Sequence, residues 1–163
     1  MNHSESAADA GSYLAWTRGE YLITTDPERV DIAVVHGYLS RESYWAKNIP
    51  LDVVERSIDH SLCFSIHKGD SQIGFARVTT DRATVAYLGD VFVLPEHRGQ
   101  GLSKWLMECI IGHPELQGLR RWMLATADAH GLYAQSGFTP IKNPDRWMER
   151  HFPDIYATAK SPP

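Results

Sequence analysis

Residues 91–104, VFVLPEHRGQGLSK, place two glycines, an arginine and a lysine where an apolar run breaks at proline. Glycines at 99 and 101 let backbone N–H groups approach an anion closely, and a helix starting there adds the positive end of its dipole. Arg98 and Lys104 bracket the turn with positive charge. The pattern predicts a phosphate cradle, and a plain strand-to-helix turn that needs glycine for geometry fits the same residues. Two nucleotide motifs fit less well. The dinucleotide fingerprint requires a third glycine where Lys104 stands, and the P-loop requires Gly-Lys-Ser/Thr with four residues between its glycines.

Other reactive residue types are scattered. Cys63-x-x-x-His67 and Cys109-x-x-x-His113 offer zinc-ligand types without finger spacing, one pair on an expected strand and the other continuing an apolar helix stripe, so no metal is expected. There is no Gly-x-Ser-x-Gly elbow and no His-Glu-x-x-His helix. His36, His97 and His130 stand isolated, the last two beside motifs of interest.

The elements that must position these residues follow from periodicity. Residues 20–25 read as a first strand, and Asp26-Pro27-Glu28 as a helix start leading into the stripe Val30, Ile32, Val34, Val35, Tyr38 and Leu39. Pro50 opens a second helix carrying Val53, Val54 and Ile58. Residues 62–67 and 72–80 flank a polar hairpin turn, and residues 84–94 read as a central strand apolar on both faces. On it Val85, Tyr87, Val91 and Val93 share one parity, while Ala86, Leu88, Phe92 and Leu94 share the other. Gly89-Asp90 interrupts the run and suggests a bulge. Leu102, Trp105, Leu106, Cys109 and Ile110 lay an apolar stripe on a helix. Residues 121–127 form the next expected strand, Asp128 a helix cap, 129–136 a short helix, Gly137 its left-handed terminator, and Phe138 the start of a last strand. The order predicts an α/β or α+β sheet with helices on both sides.

The chain has 163 residues, enough for one core, with 43% hydrophobic and 22% charged residues. We expect residues 1–18 to be a loosely held segment, 19–157 a single domain and 158–163 a tail. Sixteen Lys and Arg against twenty Asp and Glu give a net charge of −4, the wrong sign for nucleic-acid binding. No apolar run spans a membrane, and the N-terminus lacks a basic patch with an apolar segment, so a cytoplasmic protein is expected. Two cysteines are too few for a disulfide framework and are expected reduced.

RGQGLS at 98–103 resembles the pyrophosphate-binding motif Gln/Arg-x-x-Gly-x-Gly/Ala of the GNAT superfamily of acyl-CoA-dependent N-acyltransferases. AHGLYAQSGF at 129–138 resembles that family's second signature, a helix carrying a tyrosine followed four residues later by Gly-Phe. The order of elements agrees over most of the chain. Ser103 stands at the motif's small terminal position, and Thr126 where many members carry asparagine. The resemblance implies a mixed, mostly antiparallel sheet of six to seven strands with about four helices, splayed between the fourth and fifth strands. It implies acetyl-CoA or another acyl-CoA in the splay, held by Phe92, Val93, Arg98, Gly99, Gln100, Gly101, Leu102, Ser103, Lys104 and Thr126.

The implied reaction moves an acetyl group directly to a primary amine of a small molecule or peptide, since neither cysteine lies in the cleft motifs; a homodimer is compatible with it. An acyl-CoA sensor without turnover is the alternative class. An ammonium with pKa about 10.4 needs roughly 4.6 kcal/mol to lose its proton at pH 7, so a nearby carboxylate or a water that it orients helps. Asp90, at the irregular point of the central strand, is the candidate base, or else it satisfies bulge amides. A backbone N–H of Phe92 or Val93 is the candidate stabiliser of charge on the carbonyl oxygen. The resemblance assigns Tyr133 to the departing thiolate, with a core aromatic as the alternative. The resemblance makes Tyr38, Tyr44 and Trp45, beside Arg41, Glu42 and Lys47, candidates for an acceptor wall, with Trp147, Met148 and Arg150 facing it, and surface-helix packing fits either set equally well.

Overall fold

A computed structural model describes residues 13–157. Six strands form one sheet in chain order: β1 (Ala15–Arg18), β2 (Tyr21–Thr24), β3 (Leu62–Lys68), β4 (Ser71–Thr80), β5 (Val85–Val93) and β6 (Arg121–Met123). Neighbours run antiparallel except β5 and β6, which are parallel. Four α-helices cover the sheet: α1 (Ile32–Gly37), α2 (Leu51–Asp59), α3 (Leu102–Ile111) and α4 (His130–Ala134). A π-helical turn over Tyr38–Glu42 follows α1.

The hairpin between β3 and β4 closes at Lys68 and Ser71, with Gly69 at φ 58° supplying the left-handed residue that such a tight turn needs. On one face of the sheet α3 buries Leu106 and Ile110 at 0% exposure against Phe64, Ile66, Val78 and Leu88. On the other, α1, the π-helical turn and α2 bring Val35, Leu39, Val54 and Ile58 against Cys63, Phe75 and Phe92. Each fully buried aliphatic side chain contributes about 1.5–3 kcal/mol, so both helix layers hold the sheet.

Several expectations are corrected. Residues 15–18, assigned to the loose N-terminal segment, form β1, because Ala15–Arg18 pairs with Tyr21–Thr24 across Gly19 at φ 57°. The remainder of that segment up to residue 12, and the tail at 158–163, lie outside the described residues. Asp26 caps only a 3-10 turn over Pro27–Arg29, and Asp31 caps α1 by accepting from the Val34 amide at 3.2 Å. No strand starts at Phe138 among the described residues. Pro140 and Pro144 remove two donors from that stretch, and Asn143 at φ 56° turns it away from an extended path.

The parity assigned to the central strand also changes midway. Phe75 opposes Phe92 while Arg77 opposes Gly89, so β5 spends one residue more than β4 between those pairs. This bulge carries Asp90 at φ 54°. An extra residue reverses which side chains face up, and accordingly Ala86, Leu88 and Val93 share the α3 face while Phe92 faces α1 and α2.

Candidate active site

β5 and β6 pair only through Val85 with Arg121, Ala86 with Trp122 and Tyr87 with Met123. Beyond Tyr87, β5 runs on to Val93 while the chain after β6 turns aside toward α4. The fourth and fifth expected strands are β5 and β6, because β1 adds one, and the expected splay lies between them. A cleft of about 860 Å³ occupies it, walled by 87–91 of β5, 124–129 after β6, Tyr133 of α4, Tyr44 and Trp45 before α2, and Glu149–His151 near the C-terminus. The Leu94 amide donates to Ile73 O of β4 at 2.8 Å. Strand alternation therefore turns the amide of Val93, and not that of Phe92, toward the open side.

At the end of β5 the chain forms the glycine turn. Gly99 and Gly101 adopt φ 78° and 74°, a region other residues enter only with strain. Gly101 is the N-cap of α3, whose first intrahelical bond is donated by Trp105 to Gly101 O. The amides of Leu102, Ser103 and Lys104 thus lack helical acceptors, as helix geometry requires. A Cβ on Gly99 or Gly101 would meet nothing within 4 Å, so the turn has open space before it, and these residues fit a pyrophosphate. Arg98 also ties the turn down: its Nε donates to Val93 O at 2.8 Å and its Nη2 to the Tyr38 hydroxyl at 3.1 Å. Lys104 is exposed. The turn is not part of the cleft's lining, which along β5 ends at Val91.

Tyr133 is 9% exposed and its side chain lines the cleft. Burial, with smaller contributions from Tyr44 and Asp128, pushes its phenol up to about 12. Its position comes from the end of α4. Phe138 N donates to Tyr133 O at 3.2 Å and Gly137 N to Ala134 O at 3.1 Å, the bond pair of a Schellman cap, with Gly137 at φ 91°. The cap folds the Phe138 ring to 6.1 Å from the Tyr133 ring, at 71°. The cap expected at Asp128 falls instead on Ala129, with no side-chain bond, and the turn before it is held by Thr126, whose Oγ1 accepts from the Ala129 amide at 3.1 Å.

Asp90 lines the cleft, but its carboxylate does not serve the bulge amides. Oδ2 accepts from Arg77 Nε at 2.8 Å and Oδ1 from Trp45 Nε1 at 3.0 Å. Tyr44 reaches across the splay, where its hydroxyl accepts from the Ala127 amide at 2.9 Å. Tyr38 does not line the cleft; its ring stacks on Phe92 at 4.1 Å. Arg150 lines the cleft, whereas Trp147 covers Arg121 and Met148 is 97% exposed.

Sequence reasoning missed Arg77, whose signal was a lone charge inside the apolar run of β4. It missed Tyr21, which bonds His97 Nδ1 at 3.0 Å and Gln100 Oε1 at 3.2 Å and so supports the glycine turn. Glu149, His151 and Tyr156 carried no local signal. Both cysteines are buried and their thiols are pushed up to about 12, chiefly by that burial. Among the described residues no cluster of His, Cys, Asp or Glu could hold a metal, and no helix is long and apolar enough to cross a membrane.

The sheet among the described residues is mostly antiparallel, and its one parallel pair opens beside a left-handed glycine turn with a buried tyrosine across the opening. The model of the Acetyltransferase (GNAT) family matches residues 24–138, and the chain belongs to that family. A "putative acetyltransferase" of Gibberella zeae is 33% identical over 143 residues, covering 74% of this chain and 80% of the relative. A solved "putative acetyltransferase belonging to the gnat family" from Xanthomonas campestris pv. campestris is 56% identical with TM-score 0.83, covering 85% of this chain and 97% of that one. A Clostridium acetobutylicum structure, a "predicted acetyltransferase with acetyl-CoA", shares the fold at 14% identity and TM-score 0.58, covering 80% and 94% of the two chains. The protein is an acyltransferase of that family.

Proposed function

We propose that this enzyme transfers an acetyl group from acetyl-CoA directly to a primary amine of a small molecule or peptide. The observation that carries this reading is the opening of β5 from β6 beside the amides of Leu102–Lys104, with Tyr133 in the cleft wall. Acetyl-CoA supplies an activated thioester. The glycine turn binds its pyrophosphate through backbone N–H groups and the α3 dipole, with charge from Arg98 and Lys104. Val93 N–H, on the open side of β5, stabilises charge growing on the carbonyl oxygen.

The acceptor's ammonium loses its proton to a cleft carboxylate or to a water that one orients. Asp90, Asp128 and Glu149 line the cleft with His151. Asp90 is paired with Arg77, and Asp128 and Glu149, which share the cleft with Arg150 and the aromatic residues Tyr44, Trp45 and Tyr87, favour an amine acceptor. Tyr133 remains protonated at ordinary pH and donates a hydrogen bond to the departing sulfur. From a phenol at about 12 to a thiolate near 8.5, complete proton transfer is uphill by about 5 kcal/mol, so the hydrogen bond is the larger contribution. The high thiol pKa values of both buried cysteines support direct transfer over a covalent enzyme intermediate.

The test is release of free CoA thiol from acetyl-CoA against a panel of diamines, amino acids and short peptides. Amine-dependent release with an N-acetyl product by mass is the expected result. Tight acetyl-CoA binding with no acetylated product from any amine would replace it with the sensor reading.

A further inference from the structure

Asp90 occupies an uncommon position: a non-glycine residue at φ 54° on a bulge, its side chain only 11% exposed, in a strand that faces the cleft. Aspartate tolerates that conformation better than most residues, yet glycine would hold it with less strain. What the aspartate adds is its carboxylate. Each oxygen holds one donor from a different element: Arg77 Nε from β4 and Trp45 Nε1 from the loop before α2. Arg77 is itself fixed, its Nη1 donating to Ser61 Oγ at 3.2 Å and Thr79 Oγ1 at 3.1 Å. Trp45 in turn packs edge-on against Tyr44 at 5.0 Å, and Tyr44 reaches the far side of the splay at Ala127. Both carboxylate oxygens are thus engaged in the connection between β4 and the loop before α2.

We propose that Asp90 is a positioning residue: through Arg77 and Trp45 it sets the Trp45–Tyr44 wall across the cleft and thereby determines acceptor affinity, and it is not the proton sink. The proposal rests on the acetyl-transfer reading for its kinetic consequence and on bond geometry for its structural one.

The experiment compares Asp90→Asn, Asp90→Gly, Trp45→Phe and the double variant Asp90→Asn/Trp45→Phe. Glycine relieves the backbone at φ 54° and keeps the protein folded if asparagine does not. Acetyl-CoA affinity is read by calorimetry, acceptor KM and kcat by thiol release across pH 6 to 10, and the wall by 19F NMR of protein labelled with 5-fluorotryptophan. The Trp45 resonance is assigned by its loss in Trp45→Phe. In Asp90→Asn, Asp90→Gly and Trp45→Phe the acceptor KM is expected to rise by about 10-fold, the scale of one charge-assisted hydrogen bond. The double variant is expected to be no worse than the poorer single, with acetyl-CoA affinity kept and the kcat–pH profile unchanged in shape. The Trp45 resonance shifts in Asp90→Gly. If Asp90→Asn instead loses kcat at pH 7 and regains it at high pH while Trp45→Phe stays near wild type, Asp90 is the base and the proposal fails. Multiplicative effects on KM in the double variant also overturn it. If no amine is acetylated by the wild type, the acetyl-transfer reading has failed, and an unmoved Trp45 resonance in Asp90→Gly still overturns the positioning role.

Discussion

Tyr133 shows how surroundings decide what one side chain does. In water a phenol titrates near 10, and burial in the cleft wall takes this one to about 12. It therefore donates without ionising, and the wild-type rate should show no ionisation of this tyrosine below about pH 11. Tyr133→Phe keeps the ring contact with Phe138 and removes the hydroxyl. We expect acetyl-CoA affinity within 2-fold of wild type by calorimetry and kcat lower by roughly 10-fold to 100-fold, the worth of a hydrogen bond to a charged atom. An unchanged kcat would return Tyr133 to a packing role.

At the scale of elements, the Schellman cap on α4 converts a Gly-Phe pair into a clamp on that tyrosine. Gly137 sits at φ 91°, and a Cβ added there would meet nothing within 4 Å, so a substitution strains only the backbone. Gly137→Ala should cost about 1–2 kcal/mol of stability, and Gly137→Asn less, because asparagine tolerates left-handed backbone. Both are read by denaturant midpoint. If the clamp positions Tyr133, kcat should fall in the same order while acetyl-CoA affinity holds. The helix, the glycine and the following phenylalanine were all legible as a motif, since the cap is completed within six residues. The strand expected from Phe138 was not formed, because the phenylalanine is spent on the cap and prolines follow it.

For the molecule as a whole, two buried histidines link stability to pH. Burial lowers the pKa of His67, with Arg29 acting the same way and Asp31 opposing. Burial likewise lowers His113, with Glu115 opposing and Arg82 reinforcing. His113 Nδ1 accepts from the Glu115 amide at 3.1 Å, a bond that needs the nitrogen unprotonated. The unfolded chain binds protons near pH 6.5 while the folded chain resists them, so stability is full above that pH and falls below it. The Tm should drop progressively from pH 7 to pH 5, and His113→Asn should flatten part of that slope. A Tm independent of pH over this window would exclude the linkage.

Features whose partners lie close along the chain were readable before any fold was known. The β3–β4 hairpin, the apolar stripe of α3, the glycine turn at 99–101 and the bulge at Gly89-Asp90 are written in short-range periodicity and backbone freedom. Which groups meet across the site emerged only once the chain was folded. Trp45 reaches Asp90 over 45 residues, Tyr21 reaches Gln100 over 79 and Tyr44 reaches Ala127 over 83. Alternation and helical spacing carry no information about such pairs, because they record which face a residue takes and not what stands opposite it. The bulge makes the point within one strand: its position was readable, but its reversal of facing, which puts Val93 and not Phe92 on the layer of Ala86 and Leu88, followed only from register against β4.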